Sequence, residues 1–150
     1  MEFPDLAATE AFAADLARAL QAPVVIGLVG DLGAGKTALV RALIQALAPA
    51  TRVKSPTYTL IESYALADFQ AHHMDLYRLR HPAELAELGL DELLSEDAVV
   101  LIEWPDKGGA LTPDLDLQIS LKHVDAAARA GVLEALTPRG QELLGRLPAR

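Results

Sequence analysis

Two continuous apolar runs dominate the hydrophobic pattern of this chain, and each predicts a buried strand. Val24–Val29 is an apolar, largely β-branched run, which is typical of a central strand covered on both faces. Residues 98–102 form the second run, and Glu103 follows at its C-terminal end. Residues 115–122 instead alternate apolar and polar side chains, which predicts a third strand that is buried on one face only.

Helical periodicity lies between these strands. Residues 39–47 carry apolar side chains at the spacing of an amphipathic helix, and residues 12–20 do the same near the start of the chain. Thr9 is the predicted N-cap of this first helix, with an acidic residue following it in the first turn. Pro23 is expected to stop the helix before the first strand.

The remaining elements are shorter. Residues 58–64 and 71–77 have strand propensity around a turn, and we expect an antiparallel hairpin beside the parallel core. A short helix is predicted to open at Pro82 and end at Gly89, with Asp91 capping a further turn. Residues 132–136 are expected to pair with the alternating strand, and a last helix starts at Thr137-Pro138.

The segment between the first apolar strand and the following helix carries a specific chemical signal. Residues 30–37 read Gly-Asp-Leu-Gly-Ala-Gly-Lys-Thr, which fits the phosphate-binding loop G-x-x-x-x-G-K-[ST] at every fixed position. Its glycines let successive N–H groups point into one concavity that holds phosphates, at the positive end of a helix dipole. Lys36 would reach the β- and γ-phosphates, and the Thr37 hydroxyl would ligate Mg²⁺.

The strand–loop–helix context supports the motif, and it sets the fold class. We predict one α/β domain over residues 1–150, a P-loop NTPase-like domain. Its sheet is expected to be mixed, with a parallel core and additional antiparallel strands, and to be flanked by helices. No repeats or low-complexity segments interrupt this organisation.

Composition narrows the class of protein. A hydrophobic content of 51% with 23% charged residues indicates a globular chain and excludes disorder. The absence of cysteine excludes disulfides and thiolate metal sites and is compatible with a reducing cytoplasm. The N-terminus has no signal-peptide pattern, and no apolar run is long enough to span a membrane.

The net charge of −8 disfavours direct nucleic-acid wrapping, which needs several contacts between basic residues and phosphates. Residues 82–106 carry eight carboxylates and no Lys or Arg. Two interpretations of this segment stay open, a solvated acidic face and a docking surface for a basic partner.

Two carboxylates are candidates for the nucleotide site. Glu103 ends the second apolar strand, where ligands of open α/β sheets bind, so it could hold the same Mg²⁺ as Thr37. Asp75 either pairs structurally, for example with Arg78, or faces the nucleotide. The adjacent His72 and His73 point to opposite faces of a strand, which argues against a metal site there.

The sequence constrains the identity of the nucleotide base and the type of reaction less strongly than it constrains the phosphate site. No N-K-x-D motif follows a later strand, which favours adenine over guanine, and Trp104 is expected to pack rather than stack on a base. A small-molecule kinase would need a lid rich in arginine. Arg78 and Arg80 are the one close arginine pair in the middle of the chain, and they make a thin lid.

Four blocks in order give a more specific indication. The phosphate loop is followed by Lys-Ser-Pro-Thr-Tyr-Thr-Leu at 54–60, His-Met-Asp-Leu-Tyr-Arg-Leu at 73–79 and Glu-Trp-Pro at 103–105. Together they resemble the bacterial TsaE (YjeE) family over most of the chain, from about residue 9 to residue 136. That family is the small ATPase of tRNA threonylcarbamoyladenosine biosynthesis.

The resemblance implies an activity and partners. It implies an Mg²⁺-dependent ATPase that acts with two partner proteins of the actin-like ATPase superfold, which place a threonylcarbamoyl group on adenosine 37 of ANN-decoding tRNAs. The tRNA would be contacted only indirectly, and the location would be cytoplasmic. Two alternatives from other classes stay open, a small-molecule kinase and a nucleotide-gated binding module with negligible turnover.

The resemblance also implies site residues. Asp75 comes over as a catalytic-site carboxylate, residues 55–57 as a switch-like loop, and Thr9 as a neighbour of the adenine. A Gly-Arg pair expected late in the family reads Ala128-Arg129 here, which leaves a nucleotide role for Arg129 open. The implied catalytic residues are Lys36, Asp75 and Glu103, the Mg²⁺ ligands are Thr37 and Glu103, and the nucleotide contacts are Thr9, Asp31, Leu32, Gly33, Ala34, Gly35, Lys36 and Thr37.

Overall fold

The computed structural model describes residues 1–54 and 60–149. The switch-like loop at 55–57 and the first two residues of the predicted 58–64 strand lie outside this part of the chain. Among the residues that the structure describes, no helix is both long and apolar enough to cross a bilayer.

Seven strands and four α-helices make up the described fold. Two 3₁₀ segments, Pro82–Leu88 and Pro105–Leu111, lie before and after the fifth strand. The strands are β1 (Glu2–Phe3), β2 (Val24–Val29), β3 (Ile61–Ala65), β4 (Gln70–Asp75), β5 (Ala98–Glu103), β6 (Leu117–His123) and β7 (Arg129–Ala135). The helices are α1 (Leu6–Ala19), α2 (Lys36–Leu47), α3 (Leu90–Leu93) and α4 (Pro138–Arg146).

All seven strands form one mixed sheet in the order β1-β7-β6-β2-β5-β4-β3. The core strand β2 is parallel to both of its neighbours, β5 and β6, and β5 is parallel to β4. The pairs β3–β4, β6–β7 and β1–β7 are antiparallel. The predicted fold class and the predicted hairpin are therefore confirmed, and the first apolar strand lies at the centre of the sheet.

Apolar side chains cover both faces of the sheet. On one face α1 and α2 pack against the strands through fully buried residues such as Phe12, Leu16 and Ile44. A second cluster, built around Met74 and Leu85, lies on the other face. Every residue of β5 is buried, which explains why this segment is a continuous apolar run that is broken only by its final glutamate.

The first helix begins one turn earlier than predicted. Asp5, not Thr9, is the N-cap, and its Oδ1 accepts a hydrogen bond from the N–H of Ala8 at 2.9 Å. An aspartate caps as well as a threonine, and an earlier cap lengthens the helix that covers the sheet. Thr9 therefore lies inside α1, and the helix ends at Ala19, before Pro23.

Other boundaries also differ from the predictions. Asp91 does not cap α3, because Gly89, in a left-handed conformation, is its N-cap and makes no side-chain hydrogen bond. The alternating strand starts at Leu117 rather than at residue 115, since Leu115 packs into the second apolar cluster. Strand β1 was not predicted, because two residues are too short to show a period.

Most carboxylates of the acidic segment 82–106 are exposed, which is compatible with a solvated face and with a docking surface. Glu84 is an exception, because its Oε1 accepts hydrogen bonds from the N–H groups of Arg80 and His81 at 3.0 Å each. Glu103 is buried at the end of β5. The other carboxylates are exposed: Glu87, Asp91, Glu92, Glu96, Asp97 and Asp106.

Candidate functional site

The phosphate loop connects the end of β2 to the start of α2, and two of its glycines are required by the backbone. Gly30 has φ +152°, and a Cβ built there would lie 2.3 Å from the carbonyl oxygen of Leu121. Gly35 has φ +104° and is the N-cap of α2 without a side-chain hydrogen bond. Its left-handed conformation turns the chain into the helix, whose first N–H groups then face the loop.

Lys36 lies inside the loop rather than in solvent, with 4% of its surface exposed. Its Nζ donates hydrogen bonds to the carbonyl oxygens of Gly30 at 2.6 Å and Asp31 at 2.9 Å. Burial lowers the pKa of this ammonium, while the carboxylates of Glu103, Asp75 and Asp31 act in the opposite direction. The loop thus holds a cation at the place where the motif predicts phosphate oxygens.

The register of the sheet places Glu103 next to the phosphate loop. Strand β5 runs parallel to β2 with Glu103 opposite Leu28, so the carboxylate lies at the edge where the loop begins. The Thr37 hydroxyl donates a hydrogen bond to Glu103 Oε1 at 2.8 Å. A hydroxyl and a carboxylate oxygen are donors that suit Mg²⁺, so the two predicted ligands fit the ion by position and by chemistry.

The described residues contain no group of three His, Cys, Asp or Glu side chains that could hold a metal unaided. This composition suits Mg²⁺, which is usually bound through one or two protein oxygens together with substrate phosphates and water. The structure therefore favours a site that is completed by a nucleotide over a preformed metal centre.

Asp75 lies beside Glu103, because the two residues are partners in the parallel β4–β5 ladder. The cavity that Asp75 lines, with Lys36, Thr37 and Glu103, has a volume of about 340 Å³. Asp75 Oδ1 accepts a hydrogen bond from the N–H of Tyr77 at 3.0 Å. The structural pairing with Arg78 is not present among the ion pairs of the described residues, and Asp75 lines the cavity instead.

Burial raises the pKa of Asp75, and the neighbouring charge of Glu103 adds to this effect. The N–H of Tyr77 and the charges of His73 and Lys36 oppose it. Folding therefore disfavours the charged form of this aspartate. The resulting loss of stability is present above the folded-state pKa and disappears as the pH falls below the unfolded-state pKa.

The substitution Asp75→Asn is accordingly expected to stabilise the protein in the absence of nucleotide and Mg²⁺. The amide keeps the acceptor for the Tyr77 N–H and removes the buried charge, so we expect the free energy of unfolding to rise by roughly 0.5–2 kcal/mol near neutral pH. Chemical denaturation at several pH values measures this gain, which should shrink toward acid pH. Asp68→Asn, at an exposed turn, is the matched control and should change nothing. An Asp75→Asn protein that is no more stable at neutral pH would contradict the assigned burial penalty.

A second, smaller cavity lies next to Thr9. It has a volume of about 130 Å³, and its lining is largely apolar. It meets the larger cavity at Gly35, Ala38 and Arg129, which line both. The lining of the smaller cavity also includes Phe3, Leu6, Leu39, Leu121 and Ala127.

Arg129 and Tyr77 line the larger cavity, although reasoning from the sequence left a nucleotide role for Arg129 open and gave Tyr77 none. Arg129 starts β7, and its side chain comes within 3.9 Å of the point where a Cβ of Gly35 would lie. Its Nη1 donates hydrogen bonds to the carbonyl oxygens of Asp125 at 3.1 Å and Ala128 at 3.0 Å. No spacing in the sequence relates Arg129 to residue 35, because the β6–β7 hairpin alone brings them together.

Trp104 packs against the phosphate-loop lysine. Lys36 Nζ lies 4.3 Å from the centroid of the Trp104 ring, and the Tyr77 ring is 5.1 Å away from the same indole. Trp104 has a left-handed backbone, with φ +58°, immediately after Glu103. It lines the larger cavity and not the one beside Thr9.

Comparison with known proteins shows the family of this chain. The family model described as "Threonylcarbamoyl adenosine biosynthesis protein TsaE" matches residues 3–130. The chain belongs to the TsaE family. Among its relatives, the tRNA threonylcarbamoyladenosine biosynthesis protein TsaE of Haemophilus influenzae is 39% identical over 121 residues, which are 81% of this chain and 76% of that protein.

Other members of the TsaE family give the same result. TsaE of Bacillus subtilis is 35% identical over 123 residues, 82% of this chain and 77% of the relative. The crystal structure of Bacillus subtilis YdiB superposes with a TM-score of 0.78 at 31% identity, covering 97% of this chain and 90% of that one. The family resemblance predicted from the four sequence blocks is therefore confirmed.

Proposed function

We propose that this TsaE-family chain binds and hydrolyses Mg·ATP as a subunit of the machinery that threonylcarbamoylates adenosine 37 of ANN-decoding tRNAs. The observation that carries the proposal is the convergence of Lys36, Thr37, Asp75 and Glu103 on one cavity at the strand ends. These are the charge types that phosphoryl transfer from a nucleotide needs. The family name supplies the pathway.

Different parts of the site would bind different parts of the nucleotide. The backbone N–H groups of Asp31, Leu32, Gly33, Ala34, Gly35, Lys36 and Thr37 would bind the phosphates, at the N-terminus of α2. Lys36 would exchange its hydrogen bonds with the loop carbonyls for bonds to phosphate oxygens. The cavity beside Thr9 suits the adenine, because its lining is largely apolar and it joins the phosphate cavity at Gly35.

Thr37 and Glu103 would hold Mg²⁺, which neutralises charge on the β- and γ-phosphates when it is bound. Asp75, next to Glu103 and inside the same cavity, would accept a hydrogen bond from the attacking water and orient it. Burial raises the pKa of Asp75, which makes this carboxylate a better proton acceptor for a bound water molecule than an exposed aspartate. Arg129, at the junction of the two cavities, would add positive charge close to the phosphates.

We further propose that two partner proteins of the actin-like ATPase superfold complete the reaction, and that tRNA is bound mainly by those partners. The acidic charge of this chain supports an indirect role with tRNA, since it opposes the counterion release that drives nucleic-acid binding. A cytoplasmic location, where these tRNAs are modified, is part of the same proposal. A kinase is disfavoured, because Arg78 and Arg80 are exposed and do not line the cavity.

Phosphate release from Mg·ATP tests the proposal, with the chain alone and with both partner proteins and tRNA. We expect slow turnover alone, well below the roughly 1–100 per second of kinases, and a clear change in rate when the partners are present. Kinase-like turnover with a small acceptor would favour the kinase alternative. Nucleotide binding that alters partner affinity without phosphate release, even in the complete mixture, would favour the nucleotide-gated binding module.

A further inference from the structure

A buried histidine lies directly behind the proposed Mg²⁺ ligand. His73 is 1% exposed and Glu103 is 2% exposed, and His73 Nε2 is 2.5 Å from Glu103 Oε2. His73 is on β4, two residues before Asp75, so both side chains point to the same face of the sheet. His73 does not line the phosphate cavity, and its contact with the site is through Glu103.

The two oxygens of Glu103 have separate partners. Oε2 meets the His73 ring, while Oε1 accepts the hydrogen bond from Thr37 at 2.8 Å. The terminal torsion of a glutamate is otherwise broad, so a carboxylate without a second partner would sample many orientations. The contact with His73 leaves the carboxylate one orientation, with Oε1 turned toward the phosphate loop.

The two nitrogens of the His73 ring differ in their hydrogen-bond partners. A carboxylate only accepts hydrogen bonds, so Nε2 carries the hydrogen in this pair. His73 Nδ1 is buried and has no hydrogen-bond partner in the described part of the chain. A polar ring in the interior costs free energy unless it is paired. Among residues 1–54 and 60–149, its one hydrogen-bond partner is Glu103, whereas the neighbouring His72 bonds to Ser63 on the opposite face of the sheet.

We propose that His73 is a positioning residue for metal binding, which fixes Glu103 so that Oε1 and the Thr37 hydroxyl are presented together to the Mg²⁺ of the nucleotide. The inference rests on the proposed function, because it concerns the same site. It assigns His73 no contact with nucleotide or metal. Partners of this kind behind a metal ligand typically contribute 10- to 100-fold to metal affinity.

The test is the ratio of two ATP dissociation constants, measured without and with Mg²⁺ by calorimetry on the full chain. His73→Leu removes the N–H donor, so the ratio should fall by roughly 10- to 100-fold, or to unity, with Mg²⁺-free affinity preserved. His73→Asn should lower the ratio as His73→Leu does, because the asparagine side chain is too short for its amide nitrogen to reach Glu103. His73→Gln places an amide N–H near the position of Nε2 and should retain most of the ratio.

His72→Gln is the matched control. It alters a second buried histidine at the adjacent position of β4, so it should lower the melting temperature without changing the Mg²⁺ ratio. A lower melting temperature with an unchanged ratio in His73→Leu would show a purely structural histidine and overturn the inference. If His73→Leu does not fold, the ratio of His73→Asn decides between the same two outcomes. A wild-type chain that binds ATP without Mg²⁺ dependence would instead overturn the proposed function, and the inference with it.

Discussion

Mg·ATP at 100 times its dissociation constant is expected to stabilise this protein by roughly 2.7 kcal/mol, and Lys36→Ala to remove most of that gain. At this chain length the gain corresponds to a melting-temperature increase on the order of 5–10 °C. The reason for the loss is that Lys36 Nζ is the buried cation at the centre of the loop, within hydrogen-bond distance of the Gly30 and Asp31 carbonyls. Thermal unfolding with and without Mg·ATP measures both effects.

Arg41→Ala is the matched control, since it removes a positive charge from the exposed side of the same helix. It should keep the full Mg·ATP stabilisation. GTP should stabilise the wild-type chain much less than ATP, and equal effects would remove the adenine preference. A Lys36→Ala chain that Mg·ATP still stabilises fully would contradict the assignment of the loop as the phosphate site.

Glu103→Gln is expected to reduce phosphate release by about 10²–10³-fold, the scale observed when one electrostatic contact of a transition state is removed. The amide keeps the shape of the side chain but lacks the negative charge that faces Mg²⁺. Nucleotide binding should lose its Mg²⁺ dependence at the same time, because the neutral amide no longer offers a negatively charged oxygen to the metal. Titration of ATP with and without Mg²⁺, beside phosphate release in the presence of the partners, measures both losses.

Asp75→Asn separates the two carboxylates of the site. If Asp75 orients the attacking water, this variant should bind Mg·ATP nearly normally and lose phosphate release, the signature of a contact made only in the transition state. Loss of Mg²⁺-dependent binding in Asp75→Asn, with normal binding in Glu103→Gln, would mean that the two roles are reversed. Normal phosphate release in both variants would leave both carboxylates structural.

The core of the fold and the phosphate loop could be predicted because their signals are local. Val24–Val29 was predicted as a central strand and has those bounds in the structure, since six consecutive apolar residues suit a position between two parallel neighbours. The loop that follows is defined by glycines at positions that need a positive φ. Glu103 was reached by one further rule, that the carboxyl ends of parallel strands hold ligands.

The helix starts were less predictable, because several residues near each start cap equally well. Thr9 and Asp5 are both good N-caps, and in the structure Asp5 is the cap, with its side chain accepting the Ala8 N–H. The N-cap of α3 was predicted at Asp91, and in the structure it is Gly89. The roles assigned to Thr9, Asp75 and the metal ligands stay predictions.

By itself, the sequence determined most of the elements, the class of the fold, the phosphate loop and the family, since each depends on residues that are close together along the chain. Only the tertiary structure decided which distant side chains share the site. Parallel pairing of β4 with β5 places Asp75 and His73 around Glu103, and the β6–β7 hairpin brings Arg129 to Gly35. The physical reason is that strand order and register are set by the packing of the whole sheet, which no local pattern of residues encodes.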